Sequence, residues 1–213
     1  MPERRSSLTP TYTWSARSQR YRHIATGRWV GRDTVRRALD TALQRSQVDI
    51  LRLGRDLQAG RLSLAEWQVA TAKQLKAAHL ASAAAARGGW AQMTQADYGR
   101  VGYRLRAEYG YLTRLAGQVA DGTQALDGRF LTRLAMYAQA PRGTYHAQER
   151  VGMREAGYTQ ERNVLGVADH CDGCRAETAR GYVALGSLIP VGQRDCLSRC
   201  RCTIQYRKDL GYP

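Results

Sequence analysis

Residues 62–89 read LSLAEWQVATAKQLKAAHLASAAAARGG, and the fold turns on them. Ser63 followed by Glu66 forms a capping box, in which the hydroxyl and the carboxylate each satisfy a backbone amide at the helix start. Leu62 and Trp67 flank it at the positions of a hydrophobic staple. From Trp67 through Leu75 and the alanine run at 81–86 no breaker intervenes until Gly88 and Gly89, so one long helix is predicted. Its C-terminal half offers small side chains, which lets neighbouring helices approach closely.

Outward from this helix the same period recurs on both sides. Upstream, Asp33 is read as an N-cap, followed by Val35, Leu39, Ala42, Ser46, Ile50, Leu53 and Leu57 at helical spacing, with Gly60 as the stop. Downstream, a helix starts at Thr94 and carries Tyr98, Val101, Leu105, Leu112, Leu115 and Val119 before Gly122. A fourth covers about Asp127 to Ala140 and stops before Pro141, and a weaker one spans Tyr145 to Ala156. The short connections at 60–62 and 88–93 imply antiparallel neighbours. Residues 33–156 are therefore expected to form a helical domain. Its core is predicted as Val35, Leu39, Ile50, Leu53, Leu57, Trp67, Leu75, Tyr98, Leu105, Leu112 and Leu115.

Residues 1–32 lack that period. They interleave Tyr12, Trp14, Tyr21 and Trp29 with Arg17, Arg20, Arg22 and Arg28, and read as a basic extended arm. A solvated tail is one reading, but such tails are poor in aromatics, so docking on a neighbouring subunit or on nucleic acid is expected. The segment holds seven arginines against one acid, a net of +6 within a chain total of +15. A field of that sign favours polyanionic partners. No apolar run reaches the roughly 18 residues of a membrane span. No apolar stretch follows the N-terminal basic residues, so no secretory signal is expected and the product is placed in the cytosol. Thiols stay reduced there, and clustered cysteines read as metal ligands before disulfides.

Beyond Gly157 the pattern changes to short strands at Arg162–Val167, Tyr182–Leu185 and Thr203–Tyr206, punctuated by glycines. Residues 157–213 read as a small, β-rich, cysteine-rich module. It contains all five cysteines: Cys171 and Cys174, then twenty-one residues, then Cys196, Cys200 and Cys202. A C-x-x-C turn presents two thiolates to one ion, with Gly173 read as permitting a left-handed turn. The second cluster supplies the other pair, in the spacing of a zinc ribbon. One Zn2+ per chain, held by four of the five cysteines, is the expectation. Cys196 and Cys202 compete for the place outside the set, and His170 would need a different turn to join it. Two disulfides with one free thiol is the alternative. The fold class expected is mainly α, with an extended N-terminal arm, a long-helix bundle and a small C-terminal β-rich, zinc-ribbon-like module.

Signs of catalysis are lacking. The chain has no H-E-x-x-H, no G-x-S-x-G and no phosphate-binding G-x-x-x-x-G-K. His23, His79 and His146 stand alone and read as surface or packing residues. A non-enzyme is expected.

The C-terminal C-x-x-C, the glycine-containing spacer and the closing Cys-Arg-Cys before a strand resemble the phage head-morphogenesis or minor head proteins, the Mu F-like family. The matching residues are Cys171, Cys174, Gly181, Cys200, Arg201 and Cys202, over residues 160–207. One departure stands out: where the family commonly carries a His-Pro pair shortly before Cys-Arg-Cys, this chain has Cys196 near that place, one residue further off, so either Cys196 replaces the His or the metal site is wired differently. The resemblance implies a virion component made in the host cytoplasm and present in multiple copies per particle. It would act at the portal vertex or capsid interior, against portal, major capsid protein or packaged DNA without sequence preference. The competing class is a zinc-ribbon nucleic-acid-binding protein. Such a reader should concentrate Lys and Arg on the ribbon or on one helix, whereas residues 161–213 carry eight basic against six acidic residues, a net of +2, and the excess lies in the arm and spread over the helices.

Overall fold

The computed structural model describes residues 12–208, apart from 16, 17 and 19. The chain is mainly helical. Helices α1 (Arg32–Gln58), α2 (Leu64–Arg87), α3 (Gln95–Ala120), α4 (Gly128–Gln139) and α5 (Pro141–Glu155) make its body. The capping box forms: the Ser63 hydroxyl accepts from the Glu66 amide, and the Ser63 amide donates to Glu66 Oε2 at 2.8 Å. Gly88 closes α2 in the left-handed conformation at φ +89°. Helix α2 is central and packs on α1, α3 and α5, while α4 lies along α1.

The two halves of α2 build two different cores. Trp67 and Leu75 join Ile50, Leu57, Leu112, Leu115, Phe130 and Leu134 in a cluster of large side chains, with the Trp67 and Phe130 rings 5.5 Å apart. Toward Gly88, Ala78, Ala81 and Ala86 pack with Leu39, Leu43 and Tyr145. Small residues there let three helices surround α2, so its C-terminal half is buried nearly all round. Among the described residues, no helix is long and apolar enough to cross a membrane.

Four expectations need correction. The N-cap of α1 is Gly31, and Asp33 lies in the first turn, 3.4 Å from Arg36. Tyr98 is 45% exposed, because its position on α3 faces solvent rather than α2. Helix α5 begins at Pro141, whose lack of an amide proton suits the first helical turn. The described part of the predicted arm is not extended. It folds as an antiparallel sheet of β1 (Tyr12–Ser15), β2 (Arg20–His23) and β3 (Trp29–Val30) in the order β1-β2-β3. This sheet packs on the body: the Trp14 amide donates to Gly88 O at 3.0 Å, and the 1%-exposed Tyr21 hydroxyl reaches Ala86 O. A Cβ at Gly88 would fall 2.1 Å from Trp14 Cβ, so glycine is required there twice over. Residues 1–11 of the predicted arm lie outside the described residues.

The C-terminal module comprises β4 (Gln160–Val164), α6 (Asp172–Ala179), β5 (Val183–Ala184) and β6 (Thr203–Arg207), with antiparallel order β5-β4-β6. Buried carboxylates fasten it to the helices. Glu149 of α5 takes Arg36 of α1 at 2.9 Å, and the same guanidinium donates to Ile204 O in β6 at 2.9 Å. Tyr145 and Tyr206 also donate to Glu149. Arg150 of α5 meets Glu161 of β4 at 2.8 Å, and Glu161 in turn accepts the amides of Gly186 and Leu188. The Arg32 guanidinium lies within 5.4, 5.5 and 5.8 Å of the Trp14, Tyr158 and Tyr206 ring centroids. Each such contact is attractive, and together they join the N-terminal sheet, α1 and the module at one residue.

Candidate metal centre

Cys171 is the N-cap of α6, and its carbonyl accepts the amides of Cys174 and Arg175 at 3.0 and 3.2 Å. The C-x-x-C segment is thus the first turn of a helix, whose positive end favours thiolate. Gly173 is helical and not left-handed, correcting the predicted turn. Its surroundings are close instead: its amide donates to Asp195 Oδ2 at 3.1 Å, and a Cβ would sit 3.0 Å from that oxygen, so a side chain there would push the Asp195 carboxylate aside by a few tenths of an ångström.

The second cluster uses two local geometries. A 3-10 turn at Leu197–Arg199 brings Cys196 and Cys200 together, with the Arg199 amide on Cys196 O at 3.0 Å. Leu197 takes φ +46° to make that turn, a conformation that costs a non-glycine residue about 1–2 kcal/mol. Cys200, Arg201 and Cys202 then run extended into β6. Alternation in extended chain puts both thiols on the inner face and Arg201 outside.

All five thiols are free, and they converge on Cys174. Its sulfur lies 3.5 Å from Cys196 Sγ and 3.6 Å from Cys200 Sγ. The donor atoms of Cys171, Cys174 and Cys196 lie within 4.8 Å of one another, and so do those of His170, Cys174 and Cys202. Tetrahedral thiolates at about 2.3 Å from a zinc ion would stand about 3.8 Å apart, close to the separations around Cys174.

The surroundings suit an anionic sulfur cluster. Arg194 is 3% exposed, donates to Asn163 Oδ1 and Ile189 O, and reaches Cys174 Sγ at 3.8 Å. Among the described residues it has no carboxylate partner, and a buried cation needs a counter-charge. Thiolates at Cys174 and its neighbours supply one. The hydrogen bond from Cys202 pulls the Cys200 thiol down to about 4, while that same bond pushes Cys202 up. Burial raises Cys174 and Cys196. At Cys171 burial is outweighed by hydrogen bonds from Cys174 and Cys196, and the thiol is lowered. Such a set shares protons among close sulfurs, and a cation replaces those protons.

His170 is the residue the spacing undervalued. Its Nε2 lies 2.8 Å from Gly166 O, so that nitrogen carries the proton and leaves the Nδ1 lone pair toward Cys202 Sγ, 3.9 Å away. A backbone carbonyl holding the remote N–H is how metal-binding imidazoles are oriented. A histidine adjoining the C-x-x-C was the available signal; the loop at 165–170 that aims it inward left none. His23, His79 and His146 stand apart from this cluster, and His79 and His146 are buried in the helical body.

No family model, no curated protein and no solved structure matches the chain. What the donors themselves define is a soft nitrogen-and-sulfur site: the clustered cysteines and His170 can hold a metal ion.

Proposed function

We propose that this chain is a structural component of a tailed-phage particle, a minor head protein acting at the portal vertex or capsid interior. The observation that carries the reading is the pattern Cys171, Cys174, Gly181, Cys200, Arg201, Cys202, which resembles the head-morphogenesis proteins over residues 160–207. The departure from that pattern has a chemical account. Cys196, standing near the family's histidine position, lies 3.5 Å from Cys174 and offers a donor in its stead.

Zinc is the ion we assign, because thiolate-rich tetrahedral sets select it. Its role is that of a staple. The buried apolar residues of the module are Leu188, Val191 and Ile204 alongside Cys174, Cys200 and Cys202. Half of that core is sulfur, so an ion there would contribute folding energy directly. The arginines at 20, 22 and 28 are exposed on the N-terminal sheet and suit non-specific contact with packaged DNA. The portal and the major capsid protein are the protein partners proposed. A zinc-ribbon reader of nucleic acid is disfavoured by the net of +2 over residues 161–213.

Mass spectrometry of purified virions tests the assignment. The chain should be present, in fewer copies than the major capsid protein. Its absence from particles would remove the virion reading.

A further inference from the structure

We infer that the cysteine cluster takes two metal ions, sharing Cys174 and Cys200 as bridging thiolates, rather than the single ion that four cysteines would hold. This rests on the metal reading above. Cys171 and Cys196 complete one ion, and His170 and Cys202 complete the other.

The donor arrangement carries the inference. Two close triads exist, Cys171–Cys174–Cys196 and His170–Cys174–Cys202, and Cys174 belongs to both. A sulfur common to two ligand sets is placed as a bridge. Cys200 is assigned as the second bridge because its sulfur lies 3.6 Å from Cys174 Sγ. Two four-coordinate ions need eight ligand positions, and six donors fill them when two sulfurs serve both ions.

A single ion leaves this architecture unexplained. If Cys171, Cys174, Cys196 and Cys200 held it, Cys202 would remain an idle thiol at 0% exposure. His170 would be oriented by Gly166 O with its lone pair aimed at that idle thiol. Charge favours the pair as well. Five thiolates and two divalent ions sum to −1, which the buried Arg194 guanidinium beside Cys174 neutralises.

Native mass spectrometry of the full chain, purified under reducing conditions and titrated with zinc, reads the stoichiometry. Two ions per chain are expected. Cobalt(II) gives an independent signature: bridging thiolates couple the two ions magnetically, so the paramagnetic signal should grow over the first equivalent and weaken over the second. His170→Ala and Cys202→Ser should each bind one ion, because the sulfurs of Cys174 and Cys200 then serve the remaining ion alone. Saturation of the wild-type chain at one ion would overturn the bridged pair and leave the metal staple standing. Binding of none would overturn both. Absence of the chain from virions bears on neither result.

Discussion

Glu149 shows how one side chain decides whether distant parts of the chain hold together. It is fully buried, yet the adjacent Arg36 guanidinium overcomes the penalty of burial and holds its carboxyl at about 2, below the ordinary 4.5. A carboxylate lowered in this way stabilises the fold above the unfolded value and loses that contribution as pH falls. The window is therefore from about pH 4.5 down to about 2, and the effect is on the order of 3 kcal/mol. Glu149→Gln should remove this acid-sensitive part of the stability curve. At neutral pH it should cost about 3–5 kcal/mol, because Arg36 is left buried without its partner. Urea denaturation of both forms across that range checks the claim; superimposable pH profiles would show that Glu149 is not the linkage group. Arg36 and Glu149 are 113 residues apart, so no local pattern in the sequence announces the pair.

Helix α1 crosses α4 at Gly54, where an added Cβ would stand 2.5 Å from Leu134 Cδ1 and 3.1 Å from Leu131. Leu134 is fully buried and has little room to move. Gly54→Ala gains roughly 0.5–1 kcal/mol of helix propensity but overpacks a core at a typical cost of about 1–3 kcal/mol. Net destabilisation is expected. Gly110 on α3 has open space around it, so Gly110→Ala should keep the propensity gain and raise the thermal midpoint. Thermal unfolding of the two variants should shift in opposite directions; a shared direction would refute the crossing. Legibility divides along similar lines. The ends of α2 were readable, because Ser63, Glu66 and Gly88 act on their own neighbours. Pro141 misled, since the same residue that ends one helix opens the next when Ala140 serves both as caps. The strands β1 to β3 were obscured by arginines on their outer face, and the inward placing of Tyr21 depends on α2. The cysteines announced themselves by spacing, whereas the sharing of Cys174 is visible only in three dimensions.

Metal removal should act unevenly. Chelation is expected to unfold residues 160–207, whose core is half sulfur, while the cluster around Trp67 and Phe130 keeps α1 to α4 folded. Far-UV circular dichroism should retain most helical signal, and hydrogen exchange should rise in β4 and β6; concerted loss of all protection would show one cooperative unit instead. For DNA, deleting residues 1–32 would strip Tyr21 from the end of α2, so charge removal is the cleaner test. Converting Arg20, Arg22 and Arg28 to Ala should weaken binding uniformly across sequences. The slope of affinity against salt should fall by about 0.9 for every phosphate that is no longer neutralised, and an unchanged slope would assign these arginines to a protein partner. The rings around Arg32 carry a consequence for biosynthesis. Trp14 is among the first described residues to leave the ribosome and Tyr206 among the last, yet both close on the same guanidinium. Helices α1 to α5 can settle while translation continues, but this enclosure cannot assemble until residue 206 has emerged. A nascent chain stalled before β6 should therefore leave Arg32 without its Tyr206 ring and more open to a guanidinium-modifying reagent, and emergence of β6 should protect it.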